Sequence, residues 1–96
     1  MKFEWDEEKD RINRMKHKIS FSTAKLIFSD RYMLDFPDEA HSWIENRRIA
    51  IGKVRDVLFV SYTMRHGDTV RLISARRATK REEELYYASN GISGYE

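Results

Sequence analysis

Apolar and polar positions change period twice along this chain. Phe3 and Trp5 alternate with charged residues, the pattern of a short strand, and Asp6 then caps a helix reaching about His17, with Glu7 and Glu8 set against its dipole. The apolar positions of that helix, Ile12 and Met15 with Trp5 ahead of the cap, make a thin stripe, so most of it is expected in water. A second helix starts at Ser20, where Ile19 and Ala24 stand at the staple positions and Phe21, Ala24, Ile27 and Phe28 form a buried face. Residues 30–35 turn into a strand through Tyr32, Leu34 and Phe36, ended by Pro37 and Asp38. Residues 41–46 carry no clear period. From Arg47 the pattern is β, with strands over 47–53, 57–65 and 69–76 separated by turns around Gly52 and around His66, Gly67 and Asp68. Thr79 and Glu82 spell a capping box for a last helix from Lys80 to about Ser89, stopped at Asn90 and Gly91 by a left-handed residue.

The element order is therefore β-α-α-β-β-β-β-α. It predicts one α+β domain over residues 1–96: a small antiparallel sheet with two N-terminal helices and one C-terminal helix, and a loose tail over 91–96. In the middle strand of the meander, Leu58, Val60, Tyr62 and Met64 share one face, and Val57, Phe59, Ser61, Thr63 and Arg65 share the other. Both faces are partly apolar, which predicts helices on one side and a groove or partner on the other.

Charge adds a direction to this picture. The formal net charge is +2, but residues 1–46 sum to −2, residues 47–81 to +8 and residues 82–96 to −4. A basic central block is the footprint of a nucleic-acid-binding face, or of a solvated strand face rich in arginine. With no cysteine there is no disulfide framework or thiolate metal site. No apolar run approaches the length of a membrane span, and the acidic N-terminus does not suit a signal peptide. These features predict a cytoplasmic protein that meets no membrane.

The stretch 71–82, RLISARRATKRE, concentrates the chemistry. A strand runs straight into a capped helix, and Arg76, Arg77, Lys80, Arg81 and the free amides of the helix start suit phosphate groups. Successive strand residues point to opposite faces, so Arg76 and Arg77 diverge and only one serves a given site. Arg65 closes one hairpin strand and Arg76 leaves the next, which puts them on one rim if the strand ends coincide. No Gly-rich phosphate loop, metal-ligand spacing or serine elbow is present. What remains is arginine, lysine, tyrosine and three histidines, an inventory able to cut RNA: attack by the ribose 2′-hydroxyl needs a base, an acid and cations facing the phosphorane, and no metal or cofactor. Each residue also has a plain structural reading. Arg65, Arg71, Arg76 and Arg77 serve equally as solvated edge charges, His17 as a dipole partner at a helix C-terminus, one of Tyr86 and Tyr87 as core, and the acidic run 82–84 as a solvated first turn.

Taken with their spacing, FEWDEEK at residues 3–9, KH followed by ISF within 16–21, LFVSYTMR at 58–65, and RLISARRATKRE at 71–82 with LYY at 85–87 resemble the BrnT-type toxins over nearly the whole chain. That resemblance implies a RelE-like fold and an endoribonuclease that inhibits translation by cleaving RNA. It also implies neutralisation by a BrnA-like ribbon-helix-helix antitoxin, the pair repressing its own operon, so that operator DNA is met only through the complex. By motif position it implies Arg65, Arg76, Arg77, His17 and Tyr86 as catalytic candidates. Lys80 and Arg81 of the helix start, with Arg71, are the RNA-binding candidates that the residues themselves suggest. The chain departs from the family pattern at Lys18, where a glycine usually follows Lys-His as the left-handed stop of helix one. Two readings from other classes stand beside this one: a non-catalytic nucleic-acid-binding module, and a protein-interaction domain whose basic face meets an acidic partner.

Overall fold

A computed structural model of the chain describes residues 1–41, 43 and 45–90. The elements follow the expected order: β1 (Lys2–Glu4), α1 (Glu7–His17), α2 (Phe21–Ala24) continuing into a 3-10 turn (Lys25–Ser29), β2 (Leu34–Pro37), β3 (Arg47–Val54), β4 (Asp56–Arg65), β5 (Thr69–Arg77) and α3 (Lys80–Ser89). The expected tail over 91–96 and the Gly91 stop lie outside the described residues. Asn90 itself is not left-handed, at φ −99°. Its side-chain amide instead donates to the Tyr86 and Tyr32 carbonyls, at 2.7 and 2.8 Å, tying the end of α3 to the turn before β2.

The sheet order is β1-β5-β4-β3-β2. Strands β2 to β5 form the antiparallel meander, whereas β1 adds to β5 in parallel, Phe3 opposite Val70. The sheet is thus mixed rather than purely antiparallel. Three residues of alternating pattern in β1 do not reveal an orientation, which is set by α1 returning the chain across the sheet. The larger core lies under α1 and α2, joining Phe21, Ala24 and Ile27 to Leu58, Val60, Tyr62, Val70 and Leu72. A smaller cluster on the opposite face joins Ile51, Val57 and Tyr86, with Phe36, Ile49 and Phe59 against it. The second apolar face is therefore partly filled by α3, and what remains open lies toward the β4-β5 hairpin.

Two local expectations change. The turn between β3 and β4 is a single left-handed residue, Arg55 (φ 64°), with Val54 facing Asp56. Gly52 sits inside β3, opposite Leu58 and buried, because a Cβ there would lie 2.8 Å from the Cβ of Ile27. The glycine marks a close approach of helix to strand, not a turn. In α1 the packed face is polar: Asp10 and Asn13 are buried while Ile12 and Met15 are 44% and 63% exposed. Beyond Arg71, β5 has no neighbouring strand on its outer edge among the described residues, and its backbone polar groups need partners. Asn13 supplies them, accepting from the Ala75 amide at 3.0 Å and donating to the Ala75 carbonyl at 2.8 Å and to the Ile19 carbonyl at 2.9 Å. Asp10 accepts from the Phe21 amide at 2.8 Å. Hydrogen-bond demand at the sheet edge outweighs burial of two apolar side chains, and hydrophobic periodicity cannot see that demand.

Gly52→Ala forces a methyl group onto Ile27 in a packed layer and should destabilise the fold by about 1–3 kcal/mol. Urea denaturation would show a lower midpoint with an unchanged slope.

Candidate nucleic-acid interface

Strand register decides which basic side chains share a surface. Pairing places Arg65 opposite Thr69, Thr63 opposite Arg71, and Phe59 opposite Arg76. These odd positions of β4 point away from the α1-α2 core, so Arg65, Arg71 and Arg76 lie on the face that carries α3. Arg47, opposite Thr63 across β3, joins them. The register of β5 shifts between Ser61 and Tyr62, where Ser74 and Leu72 are the successive partners and Ile73 is the extra residue. Simple alternation would put Arg77 with Arg71; the bulge exchanges it for Arg76. Arg77, opposite Leu58, therefore points to the other face, and the two neighbours diverge as expected. The sign of the bulge in the sequence is the passage of buried positions from Val70 and Leu72 to Ala75.

The expected single rim is not formed. In an antiparallel hairpin the end of the first strand and the start of the second meet at the turn, so Arg65 lies at the closed end and Arg76 and Arg77 at the open end. At about 3.3 Å per residue the two groups stand roughly 20 Å apart. Arg65 is exposed beside left-handed His66 and Gly67 and, among the described residues, takes part in no ion pair. Lys80 and Arg81, in the first turn of α3, are exposed and likewise unpaired among those residues.

Four other arginines near the sheet, Arg47, Arg71, Arg76 and Arg77, are held by carboxylates. Arg71 donates to Glu4 at 2.8 Å and Arg47 pairs with Glu45 at 2.8 Å. Arg76 lies over the Phe59 ring, 4.0 Å from its centroid, and makes a two-pronged contact with Glu82 at 2.8 and 2.9 Å. Glu82 also completes the capping box of α3, accepting from the Thr79 amide at 2.8 Å. The hydrogen bond to Arg76 is the main reason that the Glu82 carboxyl is held below the usual range, against the opposing effect of burial; the Arg76 guanidinium is correspondingly raised. Arg77 makes a looser pair with Asp56 at 3.2 Å, both side chains more than half exposed, and lines a groove of about 500 Å³ on the helix-covered face.

His17 is half-buried at the end of α1 and lines a smaller groove of about 210 Å³ with Lys16, Ile73 and Ser74. Ser74 is the residue of the arginine face between Arg71 and Arg76, so His17 stands at the free edge of that face. The left-handed end of α1 forms at Lys18 (φ 60°) as it would at a glycine, with the Lys18 amide donating to the Arg14 carbonyl at 3.0 Å.

Tyr86 is core. It is 2% exposed and its hydroxyl donates to Asp30 at 2.5 Å. Asp30 also accepts from the Tyr32 and Lys53 amides, at 2.9 and 2.8 Å. Burial alone would raise the Asp30 carboxyl, but the hydrogen bonds from Tyr86 and the two amides outweigh it and hold the group below its ordinary value. Burial, and then the Asp30 charge, push the Tyr86 hydroxyl strongly upward. Sequence reading missed Asp30 as the anchor of α3, because an aspartate ahead of a strand resembles any turn residue. Phe59 and Glu82 were also missed as the partners that hold Arg76. No helix among the described residues is long and apolar enough to cross a membrane.

The fold and this basic face fit the class of ribonuclease toxins of type II toxin-antitoxin systems. Residues 5–82, well over half the chain, match the profile of a family described as ribonuclease toxin, BrnT, of type II toxin-antitoxin system. The chain belongs to the BrnT family. It is similar to the 1.1 Å crystal structure of the Brucella abortus ribonuclease toxin BrnT, with 27% identity and a TM-score of 0.65 over 83% of this chain and 99% of that one. Among curated proteins none matches.

Tyr86→Phe removes a hydrogen bond to a half-buried carboxylate and should cost about 1–3 kcal/mol, read as a lower denaturation midpoint. A second expectation concerns alkali. Burial first, and then the adjacent Asp35, raise the Tyr62 hydroxyl to about 12, with Arg48 acting in the opposite sense. An unfolded-chain tyrosine ionises near pH 10, so the folded state favours the protonated form. That contribution is fully present below about pH 10 and is lost as the pH climbs toward 12. Denaturation midpoints of Tyr62→Phe should fall less over that interval than those of the parent.

Proposed function

We propose that this chain is a metal-independent endoribonuclease whose RNA strand lies along the open sheet face, with the scissile phosphate near Ser74. The observation that carries this reading is the register that sets Arg65, Arg71 and Arg76 on one face, with the His17 groove opening at its edge. In the proposed reaction the ribose 2′-hydroxyl attacks the adjacent phosphorus while a base takes its proton. The phosphorane then expels the 5′-oxygen, which receives a proton, leaving a 2′,3′-cyclic phosphate. Arg71 and Arg76 face the charge that builds on the phosphorane, His17 is the proton-transfer group, and Arg65, Lys80 and Arg81 bind flanking phosphates. A guanidinium has five N–H donors and a carboxylate partner uses one or two of them, so Glu4 and Glu82 orient Arg71 and Arg76 without filling them. Tyr86 serves as a positioning residue, since its hydroxyl is committed to Asp30. Arg77 binds RNA beyond the reaction centre, on the opposite face.

Cleavage of this kind inhibits translation. A BrnA-like ribbon-helix-helix antitoxin would neutralise the toxin by covering the arginine face, and the complex would repress its own operon through the antitoxin's DNA-binding region.

Antitoxin-free protein should cut RNA in EDTA and leave cyclic phosphate ends. His17→Ala should slow cleavage by about a hundredfold or more. Arg65→Ala, at an exposed and unpaired position, should leave the melting midpoint in place and lower cleavage about tenfold. A magnesium requirement would reject the mechanism, and full activity of both variants would reject the assignments. Binding that falls with salt, with no cleavage at any salt, would leave a non-catalytic module.

A further inference from the structure

The groove of about 500 Å³ on the face opposite the arginines is built differently from the rest of the surface. Its floor includes Ile19, Val54 and Leu58, and four cations, Arg14, Lys18, Arg55 and Arg77, reach it from three separate segments of the chain. Two of them are partly neutralised, Arg14 by Asp10 at 3.3 Å and Arg77 by Asp56 at 3.2 Å. Lys18 and Arg55 are exposed and, among the described residues, have no carboxylate partner.

Those two residues share a second property. Among the described residues three non-glycine residues have positive φ; two of them, Lys18 (60°) and Arg55 (64°), line this groove. A left-handed backbone is costly for a residue with a Cβ and free for glycine. One such position ends α1 and the other makes the whole turn between β3 and β4. Both turns would form more easily with glycine, yet both carry a long basic side chain with no carboxylate partner among the described residues. Strain retained at two unrelated turns that meet in one groove marks the side chains, not the turns, as what is needed there.

The position of the groove indicates its occupant. Arg76 and Arg77 are consecutive residues at the end of β5, one on each face, so a strand leaving the arginine face at Arg76 meets Arg77 and the groove on rounding the end of the sheet. We infer that this groove binds the flank of the RNA strand, with phosphates on Lys18 and Arg55 and a base against the apolar floor. The inference rests on the reading of the sheet face as the RNA surface. An acidic peptide would also suit the cations. The continuity with Arg76 favours the RNA strand, because a peptide bound there would need no path around the sheet end.

The test uses the full chain and 2′-O-methyl oligonucleotides, which bind without being cut, in two lengths: one that spans the sheet face, and one extended at either end. Binding is followed by fluorescence anisotropy across a salt series. The variant is Lys18→Gly with Arg55→Gly, which removes both charges and relieves both left-handed residues, so it stays folded with a melting midpoint within a few degrees of the parent. For the parent, one of the extensions should raise affinity about tenfold, and in the variant that gain should vanish while the short oligonucleotide binds as before. The dependence of log K on log salt for the extended oligonucleotide should become shallower by about 1.4, the value for two lost single-strand phosphate contacts. Arg55→Lys should retain the parent behaviour. An equal gain and equal slope in the variant would overturn the inference while leaving the sheet-face reading intact, and would return the groove to an acidic peptide. Failure of the parent to bind either oligonucleotide would overturn both.

Discussion

The side-chain amide of Asn13 does for the outer edge of β5 what a sixth strand would do. It pairs with both the N–H and the C=O of Ala75, two residues past the extra residue of the bulge, and through the Ile19 carbonyl it ties the same point to the start of the second helix. Without those bonds a buried strand edge would hold unpaired polar groups, at a cost of about 1–3 kcal/mol each. With them, α1 is docked against the sheet and the bulge is held at one place. The distribution of arginines follows from that position. Arg76 falls over Phe59 on the open face and Arg77 over the groove on the other, whereas an unbulged strand would reverse them.

Around that fixed point the two faces divide the work of the fold. The α1-α2 face carries the larger core and needs Gly52 so that Ile27 can approach β3. The opposite face holds a smaller cluster under α3, which is tied at both ends: the capping box and Arg76 at its start, Asp30 and Asn90 at its finish. A short helix clamped in this way leaves the hairpin half of its face open. That half bears Arg65 and Arg71, with Arg76 beside the start of α3, and carboxylates on β1 and α3 orient two of the three.

Much of this organisation is legible in the residues. Alternation in 47–77 marks the meander, Asp6, Ser20 and Thr79 mark the three helix starts, and the neighbouring arginines of the strand-to-helix corner announce their divergence. The parts that are not legible share a physical cause. Asp10 and Asn13 are buried for their hydrogen bonds, and no hydrophobic pattern reports a buried amide. Gly52 resembles a turn residue because its reason lies in the side chain of Ile27, 25 positions away. Arg65 and Arg76 look adjacent in the sequence because both stand at strand ends, while hairpin geometry sends them to opposite ends. Tyr86 carries a family motif but spends its hydroxyl on Asp30.

Family membership and fold bring the chain to the ribonuclease toxins, and the bulge decides which arginines share a surface. The most direct measurement is a crystal structure of the antitoxin-free protein with a 2′-O-methyl RNA that it binds but cannot cut. The account predicts the scissile phosphate on the open face between Arg71 and Arg76, beside Ser74 and within reach of His17. A scissile phosphate held in the groove beside Arg77, with the open sheet face empty of RNA, would contradict it.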